Sequence, residues 1–514
     1  MTSNPAVVAL PLGQIRGLVR ETHRVFYNIP YAQAPVGDLR WKAPKKSQGQ
    51  WEEVKDATKP GPKCPQPLSP LQDRATVYPN PHLVNDENNC LNLNVWTPNV
   101  DTQPKEGWPV MVWVHGGALR DGAGATPTYD GSNLVGSQPI VLVTINYRVN
   151  VFGFLASREL AEDSGDGSAG NYGYLDQRMA FEWVNENIHL FGGDSTRITG
   201  FGESAGSASL TYHLFISRNL FHRAILESGV ARTTGAVKVT DQQRLFNLIC
   251  DLLDLKGPDR LSQLRQVPSQ DLVALIERLE KTMVLRWYPT IDGITLKRNV
   301  HHLLREGGHV DPAVREIIIG DNTDEGTLFT GGMAVADTFS ATISQFVPPP
   351  VAEKLEALYP LSDFDDDQVL GVGRIIGDQM FLAPIRSTAR YLATTKGGPR
   401  MYHYRFNSLL EATKHLGAGV HHAIELPFVF RQHQHLTEDE RKTSDRIVEA
   451  WTSFAATGVP VFGEERAEWE TFQGAGGKVL VFEAAGVTKY ETDDADEVKN
   501  ERFNFWETLA EDKA

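Results

Sequence analysis

The feature that most constrains the fold of this 514-residue chain is a series of short, largely apolar runs. Val110–Val114 and Ile140–Ile145 show no polar–apolar alternation, which is typical of strands buried on both faces. Apolar residues at helical spacing follow in Asn171–Phe191, and another short run comes later, at Glu316–Gly320. Strands that alternate with helices predict the α/β class, with a central, mostly parallel twisted sheet and helices on both faces.

Bulk properties exclude several functions. The formal net charge of −15 disfavours contact with nucleic acid and anionic membranes. No run of about 18 apolar residues occurs, so we expect no membrane span. Residues Met1–Pro11 lack the basic and apolar parts of a signal peptide, which leaves localisation open but slightly favours the cytoplasm over secretion with a removed leader.

A pentapeptide, Gly202–Gly206 (GESAG), carries the strongest chemical signal. It fits the pattern G-x-S-x-G and lies between a predicted strand, Arg197–Phe201, and a helix-like stretch from Ala208 onward. In this context the serine sits on a sharp turn that exposes its hydroxyl above the sheet. The helix that follows directs its positive end at the same place. Ser204 is therefore the predicted nucleophile of an acyl transfer.

Acyl transfer also needs hydrogen-bond donors that stabilise the oxyanion formed when the serine attacks the carbonyl group. The segment His115–Ala118 (HGGA) follows directly on the run that ends at Val114. Its small residues allow backbone N–H groups to face a substrate oxygen. We predict the N–H groups of Gly117, Ala118 and Ala205 as the oxyanion hole.

An acid and a histidine should follow the serine in that order. Three carboxylates come directly after the run Glu316–Gly320, and spacing does not choose between them: Asp321, Asp324 and Glu325. Six histidines come later: His403, His415, His421, His422, His433 and His435. The glycine-bearing loop Gly417–His422 suits a histidine that reaches across a site, which leaves His421 and His422 as rivals.

Two longer segments, Ile29–Trp41 and Phe191–Gly206, closely resemble the N-terminal and nucleophile signatures of the type-B carboxylesterase family, which includes the cholinesterases and related fungal lipases. The resemblance extends from about Gly17 to Trp469. It implies the α/β-hydrolase fold and a serine carboxylic-ester hydrolase that works through an acyl-enzyme. It also implies a small-molecule ester as substrate, with no cofactor and no metal.

The resemblance also implies individual roles. The family acid stands in G-x-N-x-x-E-G, here Gly320–Gly326, which implies Glu325. The family histidine stands three residues before the Glu of Glu425-Leu-Pro, which implies His422. Ser228 is similar to a second family serine near the triad, expected to hydrogen-bond around the acid. Glu203 is expected to support the triad as well.

Structural pairs follow by the same analogy. Cys64 and Cys90 match the family's first disulfide, with Cys250 left as a thiol. Arg40 is expected to pair with Glu87, and Arg148 with Asp176. The chain departs from the family pattern at three positions. Asn89 stands where the family usually has an acidic residue, and Ala383 stands where secreted relatives have a cysteine. Ala118 stands where many relatives have glycine. A methyl group at Ala118 should narrow the pocket and leave the N–H in place.

We expect a single α/β-hydrolase domain over 1–514, because no linker rich in Gly, Ser or Pro separates Trp108 from Trp451. Its approximate parts are a β meander and loop at 1–100, the oxyanion loop and nucleophile turn at 101–235, a helical insertion at 236–310, and the acid and histidine loops with C-terminal helices at 311–514.

Other interpretations are weaker. His301–His302 and His433–His435 lack further ligands at known metal-site spacings. Gly371, Gly373 and Gly377 do not fit a nucleotide-binding spacing.

Two other functions are possible on the same fold. A non-catalytic binding module tends to lack the serine or the histidine, whereas an acyltransferase would share the triad. The sequence leaves open the natural ester, its acyl and alcohol chain lengths, hydrolysis against acyl transfer, and the oligomeric state. It also leaves open whether Cys64 and Cys90 are bonded or whether all three cysteines are buried thiols.

Overall fold

The computed structural model describes residues 7–68, 83–99, 103–494 and 496–511, and a mixed sheet lies at its centre. The strands in chain order are β1 Val7–Leu10, β2 Gly13–Arg16, β3 Leu18–Val19, β4 His23–Pro30, β5 Lys55–Asp56, β6 Asn92–Pro98, β7 Trp108–Val114, β8 Val141–Ile145, β9 Gly193–Glu203, β10 Arg223–Glu227, β11 Val237–Lys238, β12 Thr290–Ile291, β13 Glu316–Asn322, β14 Arg400–Asn407, β15 Val461–Phe462, β16 Ala467–Glu468, β17 Lys478–Glu483 and β18 Thr488–Thr492.

Eleven of these strands form the main sheet, in the order β18-β17-β14-β13-β10-β9-β7-β8-β6-β4-β3. The strands from β17 to β8 in that order are all parallel. Antiparallel strands flank them, with β18 at one end and β6, β4 and β3 at the other. The prediction of an α/β fold with a mostly parallel sheet is confirmed.

Helices cover both faces of this sheet. The α-helices are Ser132–Ser137, Asn150–Phe154, Arg158–Ser164, Tyr172–Asn187, Ala205–Ile216, Ala231–Thr234, Val239–Leu252, Arg260–Gln266, Ser269–Glu280, Val300–Arg305, Phe339–Ile343, Pro349–Leu358, Gln368–Gly377, Ala383–Thr394, Leu426–Val429, Glu438–Thr457 and Glu497–Glu511, with a π-helical segment at Asp378–Leu382. None of the described helices is both long and apolar enough to cross a membrane.

Alternate residues of the buried strands belong to two separate cores. In β7, Val110, Val112 and Val114 pack in one apolar cluster, whereas Met111 and Trp113 pack in the other. Because successive side chains of a strand point to opposite faces, a strand apolar at every position is buried on both sides. This is why the short apolar runs identified the central strands.

Element boundaries differ from the sequence prediction in places. Strand β9 begins at Gly193 rather than Arg197, and the helix after it begins at Ala205 rather than Ala208. The apolar spacing of residues 444–456 predicts a helix there, and the structure extends it over Glu438–Thr457, because Thr437 and Glu440 form a capping box at its start. The helices between Val239 and Glu280 lie outside the main sheet, as predicted.

The expected disulfide is not formed. Cys64 and Cys90 are buried thiols, as is Cys250. Backbone oxygens accept the two contacts instead, from Cys64 Sγ to the Cys90 carbonyl at 3.8 Å and from Cys90 Sγ to the Glu87 carbonyl at 3.9 Å. Each thiol is thus satisfied without its partner. The proline-rich stretch Pro60–Pro81 is typical of an irregular surface loop, and residues 69–81 of it lie outside the described residues.

Both expected ion pairs are formed, and both are buried. Arg40 Nε donates to Glu87 Oε1 at 2.7 Å. Arg148 Nε donates to Asp176 Oδ2, and its NH2 group to Oδ1, each at 2.7 Å. The Arg148 side chain is 2% exposed and that of Asp176 is 0%. The second pair therefore ties the segment after β8 to the helix Tyr172–Asn187.

Replacing Asp176 with Asn should lower the free energy of unfolding by about 3–5 kcal/mol, because the Arg148 guanidinium stays buried without a counter-charge. The matched control is Glu182→Gln on the same helix, whose pair with Arg178 is largely exposed and should contribute less than about 1 kcal/mol. Urea unfolding measures both variants. Equal small losses in the two would contradict the expectation.

Candidate active site

Ser204 occupies a strained turn at the carboxyl end of β9. Its backbone has φ 57° and ψ −123°, which a residue with a side chain rarely adopts. The turn is possible because its neighbours are glycines: a Cβ on Gly206 would lie 2.0 Å from the Val114 carbonyl oxygen of β7, and one on Gly202 would lie 2.6 Å from it. Ser204 itself is half-buried, so its side chain retains access to solvent.

The segment after β7 lies beside this serine. A Cβ on Gly116 would be 3.1 Å from Ser204 Cβ, and Gly117, Ala118 and Leu119 have φ of 98°, 55° and 57°. These left-handed residues turn the chain back on itself. Within the described part of the chain, the N–H groups of Gly117 and Ala118 have no hydrogen-bond acceptor. Ala205 is the first residue of its helix, so its N–H has no intrahelical acceptor.

Strand β13 and the loop after β14 bring an acid and a histidine together. Glu325 follows the end of β13, and its Oε1 accepts a hydrogen bond from the Asn322 N–H at 2.8 Å. Its Oε2 lies 2.6 Å from His422 Nδ1. Glu325 is 1% exposed and His422 5%, so both groups are removed from bulk water.

The other ring nitrogen of His422 faces Glu203, the residue before the serine. His422 Nε2 lies 2.9 Å from Glu203 Oε1. Among the described residues, Ser204 Oγ makes no hydrogen bond to His422. Catalytic hydrogen bonds are often long or misaligned before substrate binds. The imidazole therefore lies between two buried carboxylates, one of which belongs to the residue directly before the serine.

Two carboxylates decide the protonation of this imidazole. Burial by itself would lower the pKa of His422, but the charges and hydrogen bonds of Glu203 and Glu325 outweigh it, and the pKa is raised well above its ordinary value of 6.5. The pKa of Glu203 is raised as well, mainly by burial and against the opposing effect of His422.

Aromatic rings and glycines hold the pair in place. The Phe381 ring lies 4.4 Å from the His422 ring, centroid to centroid, and belongs to the π-helical segment Asp378–Leu382. Just before that segment the helix packs directly on the acid turn: a Cβ on Gly326 would be 1.9 Å from the Gly373 carbonyl oxygen. The glycines that fit no nucleotide motif thus let this helix approach Glu325.

The rival candidates have other partners. Asp321 Oδ1 accepts from Arg405 Nε at 2.7 Å, and Asp324 Oδ2 accepts from the Val420 N–H at 3.0 Å. His421 Nδ1 contacts the His422 carbonyl oxygen at 2.7 Å. The spacing of these residues along the chain could not show which of them form the pair, because neighbours in a turn differ mainly in the direction of their side chains.

Comparison with known proteins gives the family. The family model described as "Carboxylesterase family" matches residues 4–506. The chain belongs to the carboxylesterase family. It is 32% identical over 496 residues to the para-nitrobenzyl esterase of Bacillus subtilis (strain 168), covering 93% of this chain and 95% of that protein. It is 32% identical over 502 residues to the cocaine esterase of Oryctolagus cuniculus, covering 90% and 89%.

A solved structure agrees. A PNB esterase superimposes with a TM-score of 0.79 at 30% sequence identity, over 97% of this chain and 99% of that one. The resemblance to type-B carboxylesterases and the α/β-hydrolase fold are thereby confirmed. The protein is a carboxylesterase, and its reaction is the hydrolysis of carboxylic esters. In the residues that the structure describes, no cluster of potential metal ligands occurs.

This carboxylesterase has two further buried carboxyl groups that sequence reasoning missed. Glu425 Oε2 accepts from Asn322 Nδ2 at 2.5 Å, and its Oε1 accepts from Ser228 Oγ at 3.4 Å. Ser228 therefore contacts Glu425, whereas Asn322 bridges Glu425 and the acid, since its backbone N–H binds Glu325. Glu227 Oε1 accepts from Trp451 Nε1 at 2.6 Å. The sequence signal was present, because Glu425 is the residue used to locate His422.

Burial, together with the charges of Glu203 and Glu325, raises the pKa of Glu425 to about 8. A carboxyl group whose pKa is higher in the folded than in the unfolded chain stabilises the fold below the unfolded value of 4.5, and this contribution is lost as pH rises through the folded value. The contribution of Glu425 to stability should therefore fall between about pH 4.5 and pH 8.

Glu425→Gln should remove this pH-dependent loss. We expect the variant to gain stability relative to wild type as pH rises from 5 to 8, by an amount on the order of a few kcal/mol, and to level off above pH 8. Urea unfolding at several pH values measures it, with the exposed Glu411→Gln as control. Parallel stability profiles for wild type and Glu425→Gln would refute a raised pKa at this site.

Proposed function

We propose that this carboxylesterase hydrolyses small-molecule esters through an acyl-enzyme on Ser204, with His422 as general base and Glu325 as its acid. The observation that supports this most is the 2.6 Å contact between Glu325 Oε2 and His422 Nδ1, while His422 Nε2 contacts Glu203, the residue before the strained turn at Ser204. With Nδ1 held by the carboxylate, Nε2 is the nitrogen available to exchange a proton with the hydroxyl.

The first half-reaction forms the acyl-enzyme. His422 Nε2 takes the Ser204 proton as Oγ attacks the ester carbonyl, and the carbonyl oxygen gains the negative charge. The N–H groups of Gly117, Ala118 and Ala205 receive this oxyanion, which explains why the first two lack acceptors in the free enzyme. The imidazolium then gives its proton to the leaving alcohol as the C–O bond breaks.

The second half-reaction releases the acid. Water gives a proton to His422 Nε2 as it attacks the acyl carbonyl, and the proton returns to Ser204 Oγ as the acyl–serine bond breaks. Glu325 keeps the imidazole in one orientation and stabilises its charged form through both steps. Removal of one oxyanion donor from such a site costs about 3 kcal/mol of transition-state stabilisation.

Glu203 has a supporting role in this proposal. Its carboxylate occupies Nε2 in the free enzyme, so the Ser204 hydroxyl must replace it at that nitrogen when the reaction starts. Once the imidazole is charged, Glu203 lies close enough to stabilise it. The same contact raises the pKa of His422, which sets the lower limit of the pH range in which the base is neutral.

Ser204→Ala should reduce kcat/KM for a p-nitrophenyl ester by about four to six orders of magnitude, because no nucleophile remains. The fold should be retained, as judged by circular dichroism and thermal unfolding. Ser137→Ala, in a helix remote from the site, serves as control and should be as active as wild type. Near wild-type hydrolysis by Ser204→Ala would overturn the assignment.

Glu203→Gln should move the acidic limb of the kcat/KM profile to lower pH. The removed charge raises the pKa of His422, so its loss lets the base stay neutral in more acidic solution. Glu227→Gln is the matched control, because Glu227 is an equally buried glutamate whose partner is Trp451. An unchanged acidic limb in Glu203→Gln would contradict the role given to this contact.

A further inference from the structure

A cavity that Ser204 does not line lies between the sheet and the C-terminal helix Glu497–Glu511. Its volume is about 500 Å³. It is lined by residues of β13, β14, β17 and β18, of the helix Ala383–Thr394 and of the C-terminal helix. The lining residues include both charged and apolar side chains. The mechanism proposed above uses none of them.

His403 of β14 lines this cavity without a hydrogen-bond partner. It is 2% exposed, and neither ring nitrogen forms a hydrogen bond with the described residues. The nearest acceptor to Nε2 is Asp321 Oδ2, at 3.9 Å, which is too long for a hydrogen bond. Buried polar groups are almost always satisfied, so this imidazole, which lines a cavity and has only the distant Asp321 as a partner, is open to a further acceptor such as water or a ligand.

The carboxylates of the cavity already have partners. Asp321 Oδ1 accepts from Arg405 Nε at 2.7 Å, and Asp493 Oδ1 accepts from Arg386 Nε at 2.8 Å. Asp496 Oδ1 accepts from the backbone N–H of Lys499 at 2.9 Å. At least one oxygen of each of these three carboxylates is therefore bonded, and so is the Nε of Arg405 and of Arg386.

Lys499 is the cation that remains. Its ammonium forms no ion pair with the residues that the structure describes, and Nζ lies 5.7 Å from the centroid of the Phe503 ring. Burial and the charge of Arg405 lower the pKa of Lys499 to about 7, whereas Asp321 and Asp378 act in the opposite direction. This half-buried ammonium is therefore attracted by the charges of Asp321 and Asp378 but forms an ion pair with neither of them.

We propose that this cavity binds a small organic acid, whose carboxylate pairs with the Lys499 ammonium and accepts a hydrogen bond from His403. The apolar part of the ligand would lie against Leu382, Val479 and Phe503, which also line the cavity. A cationic ligand fits less well, because Asp321 and Asp493 are already paired with Arg405 and Arg386. The cavity volume accommodates a molecule of the size of benzoate.

Calorimetric titration with benzoate tests the site. Wild type should bind benzoate saturably and should not bind benzamide, which has the same shape without the charge. Lys499→Gln should weaken binding at least about thirtyfold, because a charged pair loses one partner. Lys499→Arg should retain binding, and the exposed Lys442→Gln should bind as wild type does.

The active site could also bind benzoate, so a second measurement separates the two sites. Competitive inhibition of ester hydrolysis by benzoate reports the active site, and it should be the same in Lys499→Gln as in wild type. The proposal is overturned if Lys499→Gln binds benzoate as tightly as wild type in the calorimeter. It is also overturned if benzamide binds equally well, or if all wild-type binding disappears when a competitive inhibitor occupies the active site.

Discussion

The close approach of β7 to the helix Ala205–Ile216 is the constraint on which the catalytic end of the molecule depends. The Val114 carbonyl oxygen lies 2.0 Å from where a Cβ of Gly206 would be. Any side chain there would push the helix away from the sheet and relax the turn at Ser204. The same contact brings the segment after β7 against the serine, so one glycine links the position of the nucleophile to that of the oxyanion loop.

Around this turn the fold concentrates negative charge. Four glutamates, Glu203, Glu227, Glu325 and Glu425, are each at most 3% exposed. Two of them contact one imidazole, while Asn322 links Glu325 to Glu425. Burial of carboxylates is costly unless they are paired or protonated. This site lowers the cost of burial in both ways. Glu203 and Glu325 pair with His422, whose pKa they raise, and Glu425 has a raised pKa, which favours its protonated form.

Much of the fold could be predicted because its central strands are buried on both faces, which leaves a simple apolar signature. Boundaries were less predictable. The helix after Ser204 starts three residues earlier than its apolar pattern, since its first turn packs by backbone contact rather than by large side chains. The disulfide between Cys64 and Cys90 was wrong because family likeness gives the positions of two sulfurs and not their chemical state.

The sequence by itself determined the class of fold, the family and the nucleophile turn, because these are encoded in local patterns of apolar residues and glycines. Only the tertiary structure decided which carboxylate faces which nitrogen of His422, and that Glu425 lies behind the acid. It alone revealed the cavity at His403 and Lys499. Those features arise where segments that are far apart in the chain contact each other. The direction of a side chain at such a contact depends on tertiary packing, which cannot be predicted from the spacing of residues along the chain.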